Sequence, residues 1–167
     1  MIRRTARFVI FVVASAALAG CAAVSVPTPD GARSAESARG QTVVALAKRH
    51  VGAPYRWGGS SPSGFDCSGL VRYVYAQVGV SLPHNAVQQY RLGMPVARAS
   101  LEPGDLVFFD HLRHNGIYVG AGRFIHARQT GRRVAIASLD DEWYASRWVG
   151  ARRLDGPTHV SDDDEDR

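Results

Sequence analysis

The chain contains little cysteine, with Cys21 and Cys67 as its two thiols among 167 residues. A disulfide framework is therefore limited to one bridge, and each cysteine has to be explained separately. A long membrane-spanning run is missing too, because the N-terminal apolar stretch from Phe8 to Ala19 falls short of the roughly 20 apolar residues that a spanning helix needs. With 46% hydrophobic and 21% charged residues, the composition excludes a collagen-like, coiled-coil or wholly disordered chain.

The formal charge of +5 is distributed unevenly. Residues 41–154 contain 14 Lys and Arg against 7 Asp and Glu, so this part carries +7, whereas positions 162–166 are all acidic. A basic surface suits an anionic polymer. We do not expect nucleic acid to be that polymer, because the chain has no nucleic-acid-binding motif and its N-terminus indicates export.

Residues 1–20 have the parts of a bacterial export signal: a basic start, an apolar run and an end of small residues. The segment Leu18-Ala19-Gly20-Cys21 resembles the lipobox, in which the cysteine becomes the lipidated first residue of the mature chain. This resemblance implies a membrane anchor at Cys21. Ala22 is compatible with sorting to the outer membrane of a Gram-negative cell, facing the periplasm. The alternative is an ordinary secretory signal that ends at a cysteine.

Composition divides the rest of the chain into three parts. Residues 21–40 follow the signal as the lipidated cysteine and a flexible linker rich in Ala, Ser, Pro and Gly. Residues 41–154 form one domain. Residues 155–167 form a disordered, solvated acidic tail.

Hydrophobic spacing within the domain predicts helices first and strands afterwards. The predicted helices are Ala38–Val51, Cys67–Val78 and Asn85–Leu92, the last with Asn85 as its N-cap. The predicted strands are 105–109, 116–119, 123–127, 133–138 and 148–154. Helices followed by strands favour an α+β fold with an antiparallel sheet.

Cys67 begins the second predicted helix, with Asp66 as the candidate N-cap. The unpaired N–H groups and the dipole of a helix N-terminus favour an anion. We therefore expect the Cys67 thiol to lose its proton more easily than in bulk water. A buried structural cysteine is the alternative. If Cys21 is acylated, however, Cys67 is an unpaired thiol in an oxidising compartment, which requires a reason.

Two histidines, His114 and His126, lie on predicted strands joined by Gly120-Ala121-Gly122. A three-residue loop would place Gly116 opposite His126 and put both histidines on one face, at a diagonal separation of about 7–8 Å. A two-residue loop would put them on opposite faces. One imidazole can take the thiol proton while the second orients the first.

Six short segments stand out along the domain. They are Tyr55-Arg56-Trp57-Gly58-Gly59, Phe65-Asp66-Cys67-Ser68-Gly69-Leu70-Val71, Pro103-Gly104-Asp105-Leu106-Val107-Phe108-Phe109, His114-Asn115-Gly116-Ile117-Tyr118-Val119-Gly120, Phe124-Ile125-His126-Ala127 and Trp148-Val149-Gly150-Ala151-Arg152-Arg153. In order and spacing they resemble the NlpC-type papain-like cysteine peptidases over about residues 41–154. The resemblance implies a papain-like fold, in which a helix starting at the catalytic cysteine packs on an antiparallel sheet that carries the histidines.

The same resemblance implies a murein endopeptidase, which hydrolyses an amide bond in peptidoglycan stem peptides or crosslinks as a monomer and without a cofactor. It assigns Cys67 as the nucleophile, His114 as the general base and His126 as the third polar residue. Tyr55 would lie near the oxyanion. The cut bond is either the D-glutamyl to diaminopimelate bond or the 3–4 crosslink. Further residues expected to line the site are Asp66, Ser68 and His84.

His84 departs from the pattern. Lipoproteins resembling this chain have arginine directly after the proline of the segment that reads Leu82-Pro83-His84 here. Arginine binds a carboxylate through two parallel hydrogen bonds, which histidine cannot do. We therefore expect a change in substrate preference rather than in reaction type.

Other functions were weighed against peptidase activity. A zinc site made of Cys67, His114 and His126 is not expected, because separations of 47 and 12 residues match no close-paired ligand pattern. The His111-Leu112-Arg113-His114 spacing is expected to be incidental. A papain-like acyltransferase and a non-catalytic wall-binding lipoprotein remain the alternatives.

Overall fold

The computed structural model describes residues 29–154. The predicted signal, Cys21, the first part of the predicted linker and the acidic tail lie outside these residues. The described helices are α1 (Pro29–Lys48), α2 (Cys67–Ala76), α3 (Ala86–Tyr90) and α4 (Glu142–Ala145). The described strands are β1 (Ser60–Ser61), β2 (Gly64–Phe65), β3 (Met94–Val96), β4 (Leu106–Phe109), β5 (His114–Gly120), β6 (Arg123–His126), β7 (Ala135–Ser138) and β8 (Trp148–Arg153).

Six strands form one sheet in the order β3-β8-β4-β5-β6-β7, and each neighbouring pair is antiparallel. The sheet and the preceding helices confirm the predicted α+β class. Side chains alternate between faces along a strand, and both faces of β4 are buried. Leu106 and Phe108 pack with Leu70 and Val74 of α2. Val107 and Phe109 belong to a second apolar cluster on the opposite face.

Helix α1 begins at Pro29, nine residues before the predicted start at Ala38, so the second half of the predicted linker is helical. Proline is well suited to the first helical position, and Asp30 in the first turn complements the helix dipole. Most side chains of this first half are exposed, so they leave no apolar pattern to detect. No helix within residues 29–154 is long and apolar enough to cross a membrane.

Two polar contacts fix α1 against the sheet. Arg39 donates from Nη2 to the carbonyl oxygen of Leu154 at 2.7 Å. Glu36 lies 3.7 Å from the Arg153 guanidinium on β8. These partners are more than 100 residues away along the chain, which explains why the linker prediction was wrong for residues 29–40.

The other helix starts were predicted more accurately than their ends. Asp66 and Asn85 are the N-caps of α2 and α3, and each side chain accepts a backbone N–H of the first turn. Helix α2 stops at Ala76 and α3 at Tyr90, two residues short of the predicted ends in both cases. The short strands β1, β2 and β3 and the one-turn helix α4 were missed, because two to four residues are too few to show a hydrophobic period.

The β5–β6 hairpin keeps the predicted register with a different loop. Ile117 pairs with Ile125 and Tyr118 with Phe124, as a three-residue loop would require. The loop itself is two residues long, Ala121 and Gly122, both with positive φ, as a type I′ turn requires. A register shift between Tyr118 and Gly120 adds the missing residue. This bulge keeps His114 and His126 on one face despite the short loop.

Candidate active site

Cys67 is the first residue of α2, at the point where the helix meets β5. It is a free, half-buried cysteine, and its sulfur lies 3.9 Å from the carbonyl oxygen of Arg113, the residue before β5. The N-cap Asp66 has extended backbone, and its Oδ1 accepts the N–H of Gly69 at 2.7 Å. The helix start and the strand start therefore bring Cys67 beside the backbone that leads into His114.

The Asp66 carboxylate links the surrounding loops to the helix start. Its Oδ2 accepts the N–H of Gly58 at 2.9 Å, and its Oδ1 also lies 3.3 Å from the Ser68 hydroxyl and 2.9 Å from His84 Nε2. Both Asp66 and Ser68 are buried. Of the predicted lining residues, these two use their polar side-chain atoms within the protein, and His84 faces Asp66.

Gly69 allows the close approach on which this arrangement depends. A Cβ at this position would lie 2.1 Å from the carbonyl oxygen of Gly59 and 2.7 Å from His84 Nε2. No side chain fits at such distances. The first turn of α2, the glycine loop and His84 can therefore meet only around a glycine.

His114 and His126 are both buried and share a sheet face with the aromatic rings of Phe109 and Phe124. His114 Nε2 lies 2.8 Å from His126 Nδ1, and His126 Nε2 lies 3.2 Å from the Tyr144 hydroxyl. The structure thus brings the two predicted histidines into direct contact and adds Tyr144, which sequence reasoning missed. Tyr144 lies on α4, and the pair of adjacent aromatic residues at positions 143–144 was the available sequence signal for this helix.

Burial keeps both imidazoles neutral. Desolvation is the largest cause that lowers the pKa of His114, and the charge of Arg128 lowers it further, whereas Asp110 opposes the shift. The pKa of His126 is lowered by burial, then by His114 and Arg128. Near pH 7 each ring therefore carries one N–H donor and one free lone pair.

The Cys67 thiol has a raised pKa, so the prediction of an easily lost proton was wrong. Burial is the largest cause, and the negative charge of Asp66 is the second. Backbone N–H groups of Asn115, Ser68 and Cys67 itself pull the pKa in the other direction without reversing the shift. The carboxylate that caps the helix offsets the benefit that a helix N-terminus gives to a thiolate.

Tyr55 is half-buried at the edge of the site. Burial raises the pKa of its phenol, and the charges of Cys67 and Asp66 raise it further. The phenol is therefore an electrostatic neighbour of the sulfur and stays protonated, which suits a hydrogen-bond donor.

Among residues 29–154, no group of three or more His, Cys, Asp or Glu side chains is arranged to hold a metal ion.

A buried amide pair, which sequence reasoning also missed, lies beneath the site. Gln89 and Asn115 are both fully buried. Asn115 Nδ2 donates to Gln89 Oε1 at 2.6 Å, and Gln89 Nε2 donates to the carbonyl oxygens of Ser68 and Pro83 at 3.0 and 2.7 Å. The residue after Cys67 is thus linked through one side chain to the residue after His114.

A family model described as the NlpC/P60 family matches residues 52–153. The chain is 46% identical over 123 residues to the gamma-DL-glutamyl hydrolase of Bacillus subtilis, with 70% of this chain and 30% of the relative covered. It is 45% identical over 127 residues to the murein DD-endopeptidase MepH of Escherichia coli, with 70% and 47% covered. The chain therefore spans less than half the length of these two curated relatives.

Two solved structures that are similar to this chain are also described as NlpC/P60 proteins. An NlpC/P60 family protein from Bacillus cereus superposes with a TM-score of 0.68 at 34% identity, over 70% of this chain and 40% of that one. The NlpC/p60 domain of the peptidoglycan hydrolase SagA superposes with a TM-score of 0.63 at 39% identity, over 69% of this chain and 98% of that domain.

The amide pair generates a stability prediction. We expect Gln89→Met to lower the free energy of unfolding by about 2–4 kcal/mol, because it leaves the buried Asn115 Nδ2 without its acceptor and removes the side-chain donor to the carbonyl oxygen of Pro83. Chemical denaturation measures the change. Gln88→Met, at the half-buried neighbouring position, is the matched control and should stay within about 0.5 kcal/mol of the wild type. Equal effects of the two substitutions would contradict the assigned role of Gln89.

The raised pKa of Cys67 generates a titration prediction. The rate of alkylation by iodoacetamide follows the thiolate fraction, so in the wild type it should rise through a midpoint above the ordinary thiol pKa. Asp66→Asn should move this midpoint to lower pH, because it removes the anion while keeping a residue that can cap the helix. Asp140→Asn, at an exposed carboxylate paired with Arg98, is the control. A wild-type midpoint below the ordinary value would refute the assignment.

Proposed function

The chain belongs to the NlpC/P60 family, and on that premise we propose that it is a cysteine-type murein endopeptidase, which hydrolyses an amide bond in stem peptides or crosslinks. The observation that carries the proposal is the approach of the Cys67 sulfur to the backbone before His114, together with the His114–His126 hydrogen bond. The names of the relatives MepH and SagA add support for a peptidoglycan substrate.

The hydrogen-bond chain sets the direction in which protons move. His114 Nε2 is engaged with His126, which leaves Nδ1 of His114 to accept the thiol proton. A neutral ring with a free Nδ1 carries its hydrogen on Nε2, so His114 donates to His126 Nδ1. His126 then carries its hydrogen on Nε2 and donates to the Tyr144 oxygen. In this proposal His126 is the third polar residue, which holds the His114 ring in one tautomer.

The first chemical step follows from the raised pKa of the thiol. A neutral thiol beside a neutral imidazole requires the proton to move to His114 as the sulfur attacks, rather than from a preformed ion pair. The new bond joins Cys67 Sγ to the carbonyl carbon of the scissile amide, and the carbonyl oxygen becomes an oxyanion. The backbone N–H of Cys67 and the hydroxyl of Tyr55 are the proposed donors to this oxyanion.

The remaining steps return the enzyme to its starting state. His114 gives its proton to the leaving nitrogen, the carbon–nitrogen bond breaks, and a thioester remains on Cys67. His114 then takes a proton from an attacking water molecule. The second tetrahedral intermediate releases the carboxylic acid and restores the thiol. No added cofactor enters this sequence.

The similarity to a gamma-DL-glutamyl hydrolase favours a second, narrower substrate. In a γ-glutamyl amide the residue that supplies the attacked carbonyl keeps a free α-carboxylate at the other end of its side chain. The D-glutamyl to diaminopimelate bond of murein has the same chemistry. A hydrolase for this bond would release a new amine terminus on diaminopimelate, whereas cleavage of the 3–4 crosslink would release one on a different residue.

Digestion of purified murein tests the proposed activity. The wild-type protein should release new amine termini, which mass spectrometry of the products identifies, and this identifies the bond. Cys67→Ala should abolish release and His114→Ala should lower it by at least about 10²-fold, because the first removes the nucleophile and the second the base. Cleavage that survives Cys67→Ala, or none by a folded wild type, would overturn the mechanism.

We further propose that Cys21 is lipidated and anchors the protein to the outer membrane. In this proposal the residues that follow Cys21 form the spacer between the bilayer and the catalytic domain. The support is the lipobox-like Leu18-Ala19-Gly20-Cys21 that closes a basic and apolar signal. A murein hydrolase must reach the cell wall from such an anchor. We propose that the catalytic domain does so as a monomer.

Mass spectrometry of protein extracted from membranes tests this anchor. We expect an N-terminal peptide that begins at Cys21 and carries diacylglyceryl and acyl groups. Cys21→Ser should appear in the soluble fraction without lipid, while Cys67→Ser should keep the modification. A soluble chain that retains Met1 and an unmodified Cys21 would refute the anchor.

A further inference from the structure

Two arginines contact the same tryptophan ring next to the histidine pair. The guanidinium carbon of Arg128 lies 5.2 Å from the centre of the Trp143 ring and 5.9 Å from that of Tyr144. The guanidinium carbon of Arg147 lies 4.8 Å from the centre of the same Trp143 ring. Trp143 in turn lies 6.2 Å from the ring centre of His114. The proposed general base therefore has a cationic group of two guanidinium ions beside it.

This positive charge is not neutralised by the described part of the chain. Both arginines are exposed, and within residues 29–154 neither forms an ion pair with a carboxylate. Arg147 Nη1 bonds to the carbonyl oxygen of Trp143 at 3.4 Å and to the Ser146 hydroxyl at 3.1 Å. Contact with the Trp143 ring limits the motion of both guanidinium groups, and both side chains are exposed to solvent.

The position of Arg128 works against the chemistry unless an anion joins it. Burial is the main cause that lowers the pKa of both His114 and His126, and the charge of Arg128 lowers both further, whereas peptide hydrolysis requires His114 to become an imidazolium ion. A cation beside a base opposes that step. A negative group bound to Arg128 during turnover would cancel the unfavourable field at the moment when the proton arrives.

We propose that Arg128 and Arg147 form a subsite for a free carboxylate of the substrate, with Trp143 as its rigid support. The inference rests on the proposed peptidase function and narrows it to anionic peptides. Guanidinium groups bind carboxylates through paired N–H donors, and stem peptides carry free carboxylates close to their amide bonds. Amidation of that carboxylate, which removes its charge, should therefore weaken both binding and turnover.

Two synthetic stem peptides test the subsite, identical except that one carries free side carboxylates and the other carboxamides. Calorimetry with Cys67→Ala measures binding without turnover, and kcat/KM is measured with the active protein. We expect the free-acid peptide to bind and react at least about tenfold better, since hydrogen bonds between charged partners are stronger than those to a neutral amide. Arg128→Gln and Arg147→Gln should reduce this preference to below about threefold.

Two further variants separate charge from geometry. Arg128→Lys keeps the positive charge but loses the planar pair of donors, so it should lose most of the preference. Arg123→Gln removes one exposed positive charge from the far end of β6 and should behave as the wild type. Thermal melting confirms that each variant is folded.

The outcomes distinguish the subsite from the function on which it rests. A wild type that binds and cleaves both peptides equally, or a preference that survives replacement of both arginines, overturns the subsite. Binding that favours the free acid and depends on Arg128, without cleavage of either peptide by the folded wild type, supports the subsite and overturns the peptidase function.

Discussion

The Asp66 carboxylate is the interaction on which the site depends. It caps α2 and binds the glycine loop and His84, so three separate segments meet at one buried anion. Burial raises the pKa of Cys67, and the same charge raises it further. The anchor that places the nucleophile therefore also keeps it protonated at rest, and the proposed chemistry requires a base that removes the proton during attack.

The histidine pair on the sheet supplies the base that this chemistry requires in the proposed mechanism. Burial keeps His114 and His126 neutral, and their shared hydrogen bond places one ring's proton donor against the other ring's lone pair. The Tyr144 hydroxyl, on the short helix α4, forms the last hydrogen bond of this series, with His126. A bulge in β5 and the buried Gln89–Asn115 amide pair hold these strands and α2 in position. The histidine side of the site is thus held by polar groups without net charge, whereas the cysteine side is held by the Asp66 carboxylate.

Elements that depend on neighbouring residues were predicted well from the sequence. Asp66 and Asn85 cap their helices through contacts within three residues. The β5–β6 register agrees with the three-residue-loop alternative because a bulge compensates for the two-residue loop. Elements that depend on residues far away in the sequence were predicted poorly. The first half of α1 is fixed to β8 and the residue after it, and α4 is positioned by its contact with His126.

The sequence by itself determined the class of fold, the two helix caps and which residues are proposed to carry the chemistry, because these depend on residue type and short-range spacing. The tertiary structure decided the protonation states, the partners of each polar group and the position of the arginines around Trp143. Burial and the distance between charges set a pKa, and both arise only when segments far apart in the chain pack together. The neutral Cys67 thiol is one result of that packing, and the cationic group beside His114 is another.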